Sequence, residues 1–232
     1  MTVPSKGSSR RDFVTEVGRL ASAATLTSLT PIAALAETAS HSSEATAEWD
    51  LSWLTTLATA TDRAVFDWPS LGDPADPQVM YFAERYLDNC ATIYAGRKYE
   101  ARVVFNIRTQ AVPAALNDAT WERYALGVEY KVNDPTTQKP AVRNPFWYRA
   151  PDPAPGVALQ ALPDLLKRGA VVLVCDLALT RLAQRLAAKA NRQAVDVHQE
   201  LLNGFVPAAY AVPSGIFGLA KAQNAGCAFV RL

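Results

Sequence analysis

Apolar positions divide the chain from Trp49 onward into short unbroken runs and longer stretches with a helical period. Gly169 to Asp176, GAVVLVCD, has no alternating polar positions, which marks a strand buried on both faces of a parallel sheet. Arg102 to Ile107, RVVFNI, has the same character, and Arg63 to Asp67, RAVFD, runs into the breaker-rich stretch WPSLGDPADP. Ala208 to Val212 and Cys227 to Val230 supply two more strands. Helical patterns lie between them. Pro77 suits the first turn of a helix with Val79, Phe82, Tyr86, Leu87, Cys90 and Ile93 on one face, ended by Gly96. Leu179, Leu182, Ala183 and Leu186 recur at helical spacing after Asp176, which is placed to cap that helix. A further helix runs from about Gln193 to Asn203 with Val195, His198, Leu201 and Leu202, and Pro213-Ser214-Gly215 opens another. Five strands with helices between them predict a doubly wound α/β domain.

Two regions depart from this alternation. Trp49, Leu51, Trp53 and Leu54 predict a short helix or turn packed on the sheet. From Gln110 to Leu162 the chain offers only two short helical pieces, Val112 to Leu116 and Ala119 to Tyr124, and then a long irregular run. Seven of the fifteen prolines fall between Pro135 and Pro163, which argues against regular structure there. Insertions of this length in compact domains serve as lids, binding loops or assembly arms. The aromatic cluster Phe146, Trp147 and Tyr148, with Trp121 upstream, fits packing against the core or another subunit, or closure over a ligand.

The N-terminus reads as a targeting segment. Ser9-Arg10-Arg11-Asp12-Phe13-Val14 matches the twin-arginine export motif. A weakly apolar run from Leu20 to Leu35 follows, and Ala34-Leu35-Ala36 offers a small-residue cleavage site. The run is too short and too polar for a stable membrane span. Residues 1–36 are therefore expected to be a signal peptide of a periplasmic or otherwise exported protein. Residues 37–48, rich in Ser, Thr and Ala, read as a tether in which His41 is solvated. The α/β domain spans 49–232, with its insertion at about 110–162.

Composition narrows the function classes. Half the residues are hydrophobic and 23 basic side chains balance 22 acidic ones, as expected of one globular domain with no basic stripe for nucleic acid. Arg181, Arg185 and Lys189 read as the solvated face of their helix. No His, Cys or acid cluster has metal-ligand spacing, so neither a metal nor another cofactor is expected, and His198 reads as satisfied or solvated. Ser214 lacks a Gly-x-Ser-x-Gly elbow and an activating His. No strand leads into G-x-G-x-x-G.

The chemistry that remains centres on Cys175, the last residue of its strand. A strand-to-helix junction lies at the carboxyl edge of a parallel sheet, where ligands bind, and a helix N-terminus favours a thiolate. Arg108 closes the second strand at the same edge and reads either as an anion-holding, thiol-activating group or as a surface residue. Ser214 and Gly215 sit in a turn whose backbone N–H groups offer an anion site. Cys90, on an apolar stripe, reads as a buried packing residue. With three cysteines, the disulfide state stays open.

The unit of strand, Cys175 and helix, together with the C-terminal run YAVPSGIFGLAKAQNAGCAFVRL, resembles the DsrE/DsrF-like family of small α/β proteins. The close match spans roughly Leu162 to Leu232. The resemblance implies a three-layer α/β/α fold with a mostly parallel five-stranded sheet. It also implies a sulfur-carrier role in which Cys175 bears a persulfide, a donor or acceptor protein as partner, and a homo-oligomer with a trimer favoured. The insertion and the export signal depart from the family pattern. Two functions therefore stand: a thiol-based sulfur carrier or sulfurtransferase, and a non-catalytic exported binding or assembly protein of the same fold.

Overall fold

The computed structural model describes residues 49–148 and 161–232. The twin-arginine segment, its cleavage site, the tether with His41 and residues 149–160 of the proline-rich stretch lie outside them.

Five strands form one sheet: β1 (Asp62–Trp68), β2 (Ala101–Ile107), β3 (Val171–Cys175), β4 (Ala209–Val212) and β5 (Ala228–Val230). Their order is β4-β3-β2-β1-β5 and every pairing is parallel. The fold is thus a three-layer α/β/α sandwich, with an all-parallel sheet where a mostly parallel one was expected. The run at Gly169–Asp176 predicts β3 to within two residues, and all five of its side chains are buried.

Period-two alternation sorts the strand residues between two cores. Phe66, Trp68, Phe105, Ile107, Val172 and Val174 belong to the larger one, together with α2 (Gln78–Ile93), α6 (Asp176–Ala190) and α7 (Ala194–Asn203). Val65, Val104, Val171, Leu173 and Val212 face the smaller one, closed by Trp53 and Leu57 of α1 (Trp53–Ala58) and Ala222 of α8 (Gly215–Asn224). Each fully covered Val or Leu contributes about 1.5–3 kcal/mol, so the central strands alone hold a large share of the folding free energy.

Two helical faces lie differently from their expected stripes. In α2 the buried positions are Met80, Ala83, Glu84, Leu87 and Cys90, while Phe82 and Ile93 are exposed. In α7 Val197 and Leu201 are buried and Val195 is exposed. Each stripe contained two neighbouring apolar rows, and only contact with the sheet decides which row turns inward.

The insertion wraps the rim of the larger core. After β2 comes a 3-10 segment, Thr109–Ala115, then α3 (Asp118–Arg123) and α4 (Leu126–Glu129), and the 3-10 turn Pro145–Trp147. The Asn117 side chain accepts from Thr120 N and caps α3. Asn144, fully buried, is the anchor: its amide donates to the Ala114 and Leu116 carbonyls and its oxygen accepts from Phe146 N. That grip seats Phe146 edge-on against Trp68, with centroids 5.6 Å apart, and Trp121 is fully buried beside it. Phe146 and Trp121 therefore cover the core, while Tyr148 stays exposed and donates to Asp118. After residue 161, α5 (Leu162–Lys167) leads into β3.

Gly127 lies so close to the Ala141 backbone that a Cβ would stand 2.2 Å from its carbonyl oxygen. Gly127→Ala is expected to destabilise the protein by about 1–3 kcal/mol, read as a lower urea midpoint, because backbone on both sides must move. A second prediction concerns the tie between α7 and α3. Glu200 accepts two hydrogen bonds from Arg192, at 2.6 and 3.0 Å, one from Arg123 and one from the Tyr124 hydroxyl. The Arg192 and Tyr124 bonds hold its carboxyl down at about 2. Because the folded value is depressed, this contribution is present above the ordinary carboxylate range and fades as pH falls toward 2. Melting temperature followed across that window should fall less steeply in Glu200→Gln than in the native chain.

Candidate functional site

The parallel sheet brings the ends of β1, β2, β3 and β4 to one edge, with Trp68 beside Ile107, Ile107 beside Val174 and Cys175 beside Val212. One residue before those ends, Asp67 and Asn106 are also cross-strand neighbours. The Asn106 amide donates to Asp67 Oδ1 at 3.1 Å. Arg108, just past β2, closes the group: its Nε donates to Asp67 Oδ1 at 2.8 Å and its Nη2 to Oδ2 at 2.6 Å. The Asp67 side chain is only 5% exposed against 30% for Arg108, so the pair lies partly out of water. Its bidentate geometry offsets the cost of removing the carboxylate from solvent. The bond to Asp67 holds the Arg108 guanidinium charged beyond its ordinary range.

Helix α8 lies over this polar seam. The Ser214 side chain caps it by accepting from Phe217 N at 3.2 Å. Gly215, the first helical residue, packs so tightly on Arg108 that a Cβ there would lie 2.8 Å from Arg108 Cβ. One turn on, a Cβ at Gly218 would lie 3.1 Å from Asn106 Oδ1, an oxygen with no hydrogen-bond partner.

Cys175 completes the edge. It is itself the N-cap residue of α6, with φ −66° and ψ 108°, and its thiol makes no capping hydrogen bond. Asp176 is therefore the first helical residue and not the cap. Its carboxylate instead meets His198 Nε2 at 2.7 Å, tying α6 to α7. Cys175 and Arg108 share this edge, one ending β3 and the other following its neighbour β2. Cys175 is nonetheless buried at 6% exposure and packed in the larger core.

The structure thus gathers Cys175, Arg108, Ser214 and Gly215 at one edge, but as a closed arrangement. Arg108 is neither a surface residue nor a free cation; it is committed to Asp67, a partner 41 positions away that no local pattern announces. The Ser214 oxygen is committed to its own helix. Cavities of about 480, 430 and 380 Å³ open along the same edge, and Cys175, Arg108 and Ser214 line none of the three. Sequence reasoning also missed what stands around those cavities. Arg185 and Lys189, expected as a solvated face, meet Glu129 of the insertion, and Arg185 donates to the Tyr130 hydroxyl at 2.9 Å.

The other thiols are less suited to chemistry. Burial pushes the Cys227 thiol up to about 11, and burial and Asp62 raise that of Cys90. All three cysteines are buried and unpaired. Among the described residues no group of three His, Cys, Asp or Glu is placed to hold a metal, and no helix is long and apolar enough to cross a membrane.

No family model and no curated protein matches the chain. Among solved structures it is similar to a protein of unknown function from Methanobacterium thermoautotrophicum, at 12% identity and a TM-score of 0.34. That likeness covers 74% of this chain and 99% of the other, and at so low a score it carries no functional argument.

Breaking the seam from one side should be costly. Arg108→Ala strands the Asp67 carboxylate with one neutral donor, and a loss of about 2–4 kcal/mol in unfolding free energy is expected from chemical denaturation, discounted for the partial exposure of the arginine. The double variant Asp67→Asn with Arg108→Ala should lose clearly less than the sum of the two single losses, the signature of direct coupling.

Proposed function

We propose that the chain is an exported DsrE/DsrF-like protein whose cysteine packs and does not react, and which acts as a non-catalytic binding or assembly protein. The observation that carries this reading is the burial of Cys175 at 6% exposure, lining none of the three cavities at its own edge. A sulfur carrier must present its sulfur to a donor and then to an acceptor, and thiolate chemistry needs a partly exposed, electropositive setting. Here Arg108, the cation at the same edge, is already paired with Asp67. The resemblance over Leu162–Leu232 supports the family, and the twin-arginine motif supports export with removal of residues 1–36 and a periplasmic or exported location. Assembly into a homo-oligomer, with a trimer favoured, belongs to the same proposal.

One observation favours the second reading, a persulfide carrier or sulfurtransferase on Cys175 with a protein donor or acceptor. The thiol, the Arg108 charge and the turn at Ser214 and Gly215 do share one edge. In that reading the Cys175 thiolate would attack the outer sulfur of a donor persulfide, forming a new S–S bond as the donor's own S–S bond breaks and its thiolate leaves, while Arg108 steadies the resulting persulfide anion.

Treatment of the folded protein with a sulfide donor under mild oxidation, followed by intact-mass measurement and peptide mapping, separates the two. The binding reading expects no added sulfur on Cys175 and slow alkylation that becomes complete only in denaturant. A sulfur atom mapped to Cys175 in the folded protein would overturn it and establish the carrier.

A further inference from the structure

The two larger cavities at the carboxyl edge are the lobes of one groove, since both are walled by Gln110, Tyr130 and Lys131. The lobe of about 430 Å³ runs from the end of β2 to the first turns of α6, where Ala178, Arg181 and Arg185 form its wall. The lobe of about 480 Å³ lies under the loop after β1, with Ser70, Asp73, Asn133 and Gln138 among its lining groups.

The charges of the first lobe do not cancel. Lys131, Arg181 and Arg185 face a single acid, Glu129. Glu129 is already engaged by Lys189 from outside the groove and lies 3.8 Å from Arg185. Among the described residues no carboxylate comes within ion-pairing distance of Arg181 or Lys131. Tyr130 adds a third donor to the same lobe. The Tyr130 oxygen accepts from Arg185 Nη2 at 2.9 Å, which leaves its own O–H free to donate. Burial raises its titration, so it stays a neutral donor at ordinary pH. The backbone of the first lobe is held in an uncommon shape: Thr109 and Lys131, neither a glycine, have φ of 49° and 55°. Such positions persist where the surroundings over-determine them, as they do at ligand clamps.

The second lobe differs in kind. Apart from the shared Tyr130 and Lys131, its polar side chains are the amides of Gln110, Asn133 and Gln138, the Ser70 hydroxyl and the Asp73 carboxylate, groups that pair with hydroxyls or amines, and the carboxylate repels a second anion. We infer that this groove binds a small organic anion with a hydroxylated body, its carboxylate or phosphate held by Lys131, Arg181 and the Tyr130 hydroxyl and its hydroxyls lying toward Ser70, Asp73, Asn133 and Gln138. The position accords with ligand binding at the carboxyl ends of parallel strands. This inference rests on the binding reading above and supplies its ligand class.

Isothermal titration of the full chain tests it with four probes: glucose 6-phosphate and gluconate, which carry head and body, inorganic phosphate, which is head alone, and glucose, which is body alone. Saturable heat from at least one of the first two is expected, and the one that binds identifies the head group. Inorganic phosphate should bind at least about tenfold more weakly, and glucose not measurably. The variant Lys131→Gln with Arg181→Gln should lose about tenfold or more in affinity with an unchanged melting temperature, since among the described residues neither side chain has an ion-pair or hydrogen-bond partner. Three results overturn the inference: no heat from either two-part probe, equal affinity in the variant, or inorganic phosphate matching both, which would leave an adventitious ion only. A sulfur atom on Cys175 would sink the binding reading without affecting these titrations, whereas flat titrations would remove the groove's ligand and leave the thiol as buried as before.

Discussion

A strand without polar side chains is stable in water only when both its faces are covered, and Val171–Cys175 imposes that condition on the whole chain. The next two strands in the sheet, β2 and β1, are buried along most of their length, so helices must pack on both sides and the connections must be long enough to cross over. The layers are unequal. The heavier one, with α2, α6, α7 and the insertion, covers the face that carries Phe66, Trp68, Phe105 and Ile107. The lighter one is α8 and the short α1. Small side chains such as Val65, Val104 and Val171 on that side let α8 come close enough for its glycines to touch strand side chains.

That close approach explains the polar seam and the fate of the thiol together. Under α8, Asp67 is removed from water and needs a partner with several donors, which the planar guanidinium of Arg108 supplies. Once spent on Asp67, that charge is largely unavailable to Cys175. The same packing that makes the edge rigid makes it closed, and the accessible space moves outward to the loop after β1 and to the insertion. Position in the fold and accessibility are thus separate properties, and Cys175 has the first without the second.

Much of this architecture was legible from residue patterns alone. The apolar runs mark the strands because burial, on both faces in β3 and over most of β1 and β2, leaves few polar positions, and the class of fold follows from their alternation with helices. Where a helix offered two adjacent apolar rows, as with Phe82 and Ile93 against Met80 and Ala83, periodicity did not choose between them. Long-range polar pairs were illegible. Arg108 announces a cation at a strand end, but its tie to Asp67 depends on the β1–β2 register, and the grip of Asn144 on the Ala114 and Leu116 carbonyls spans some thirty residues of a stretch that reads only as irregular. The neighbourhood of Arg181 was hidden for the same reason, since the residues opposite it come from the insertion.

The outer strands of the sheet are short, four residues in β4 and three in β5. Each presents too few free backbone donors and acceptors to template a long ladder with another chain. A core this rich in β-branched residues would otherwise invite edge-to-edge growth, and brevity at the two borders limits it.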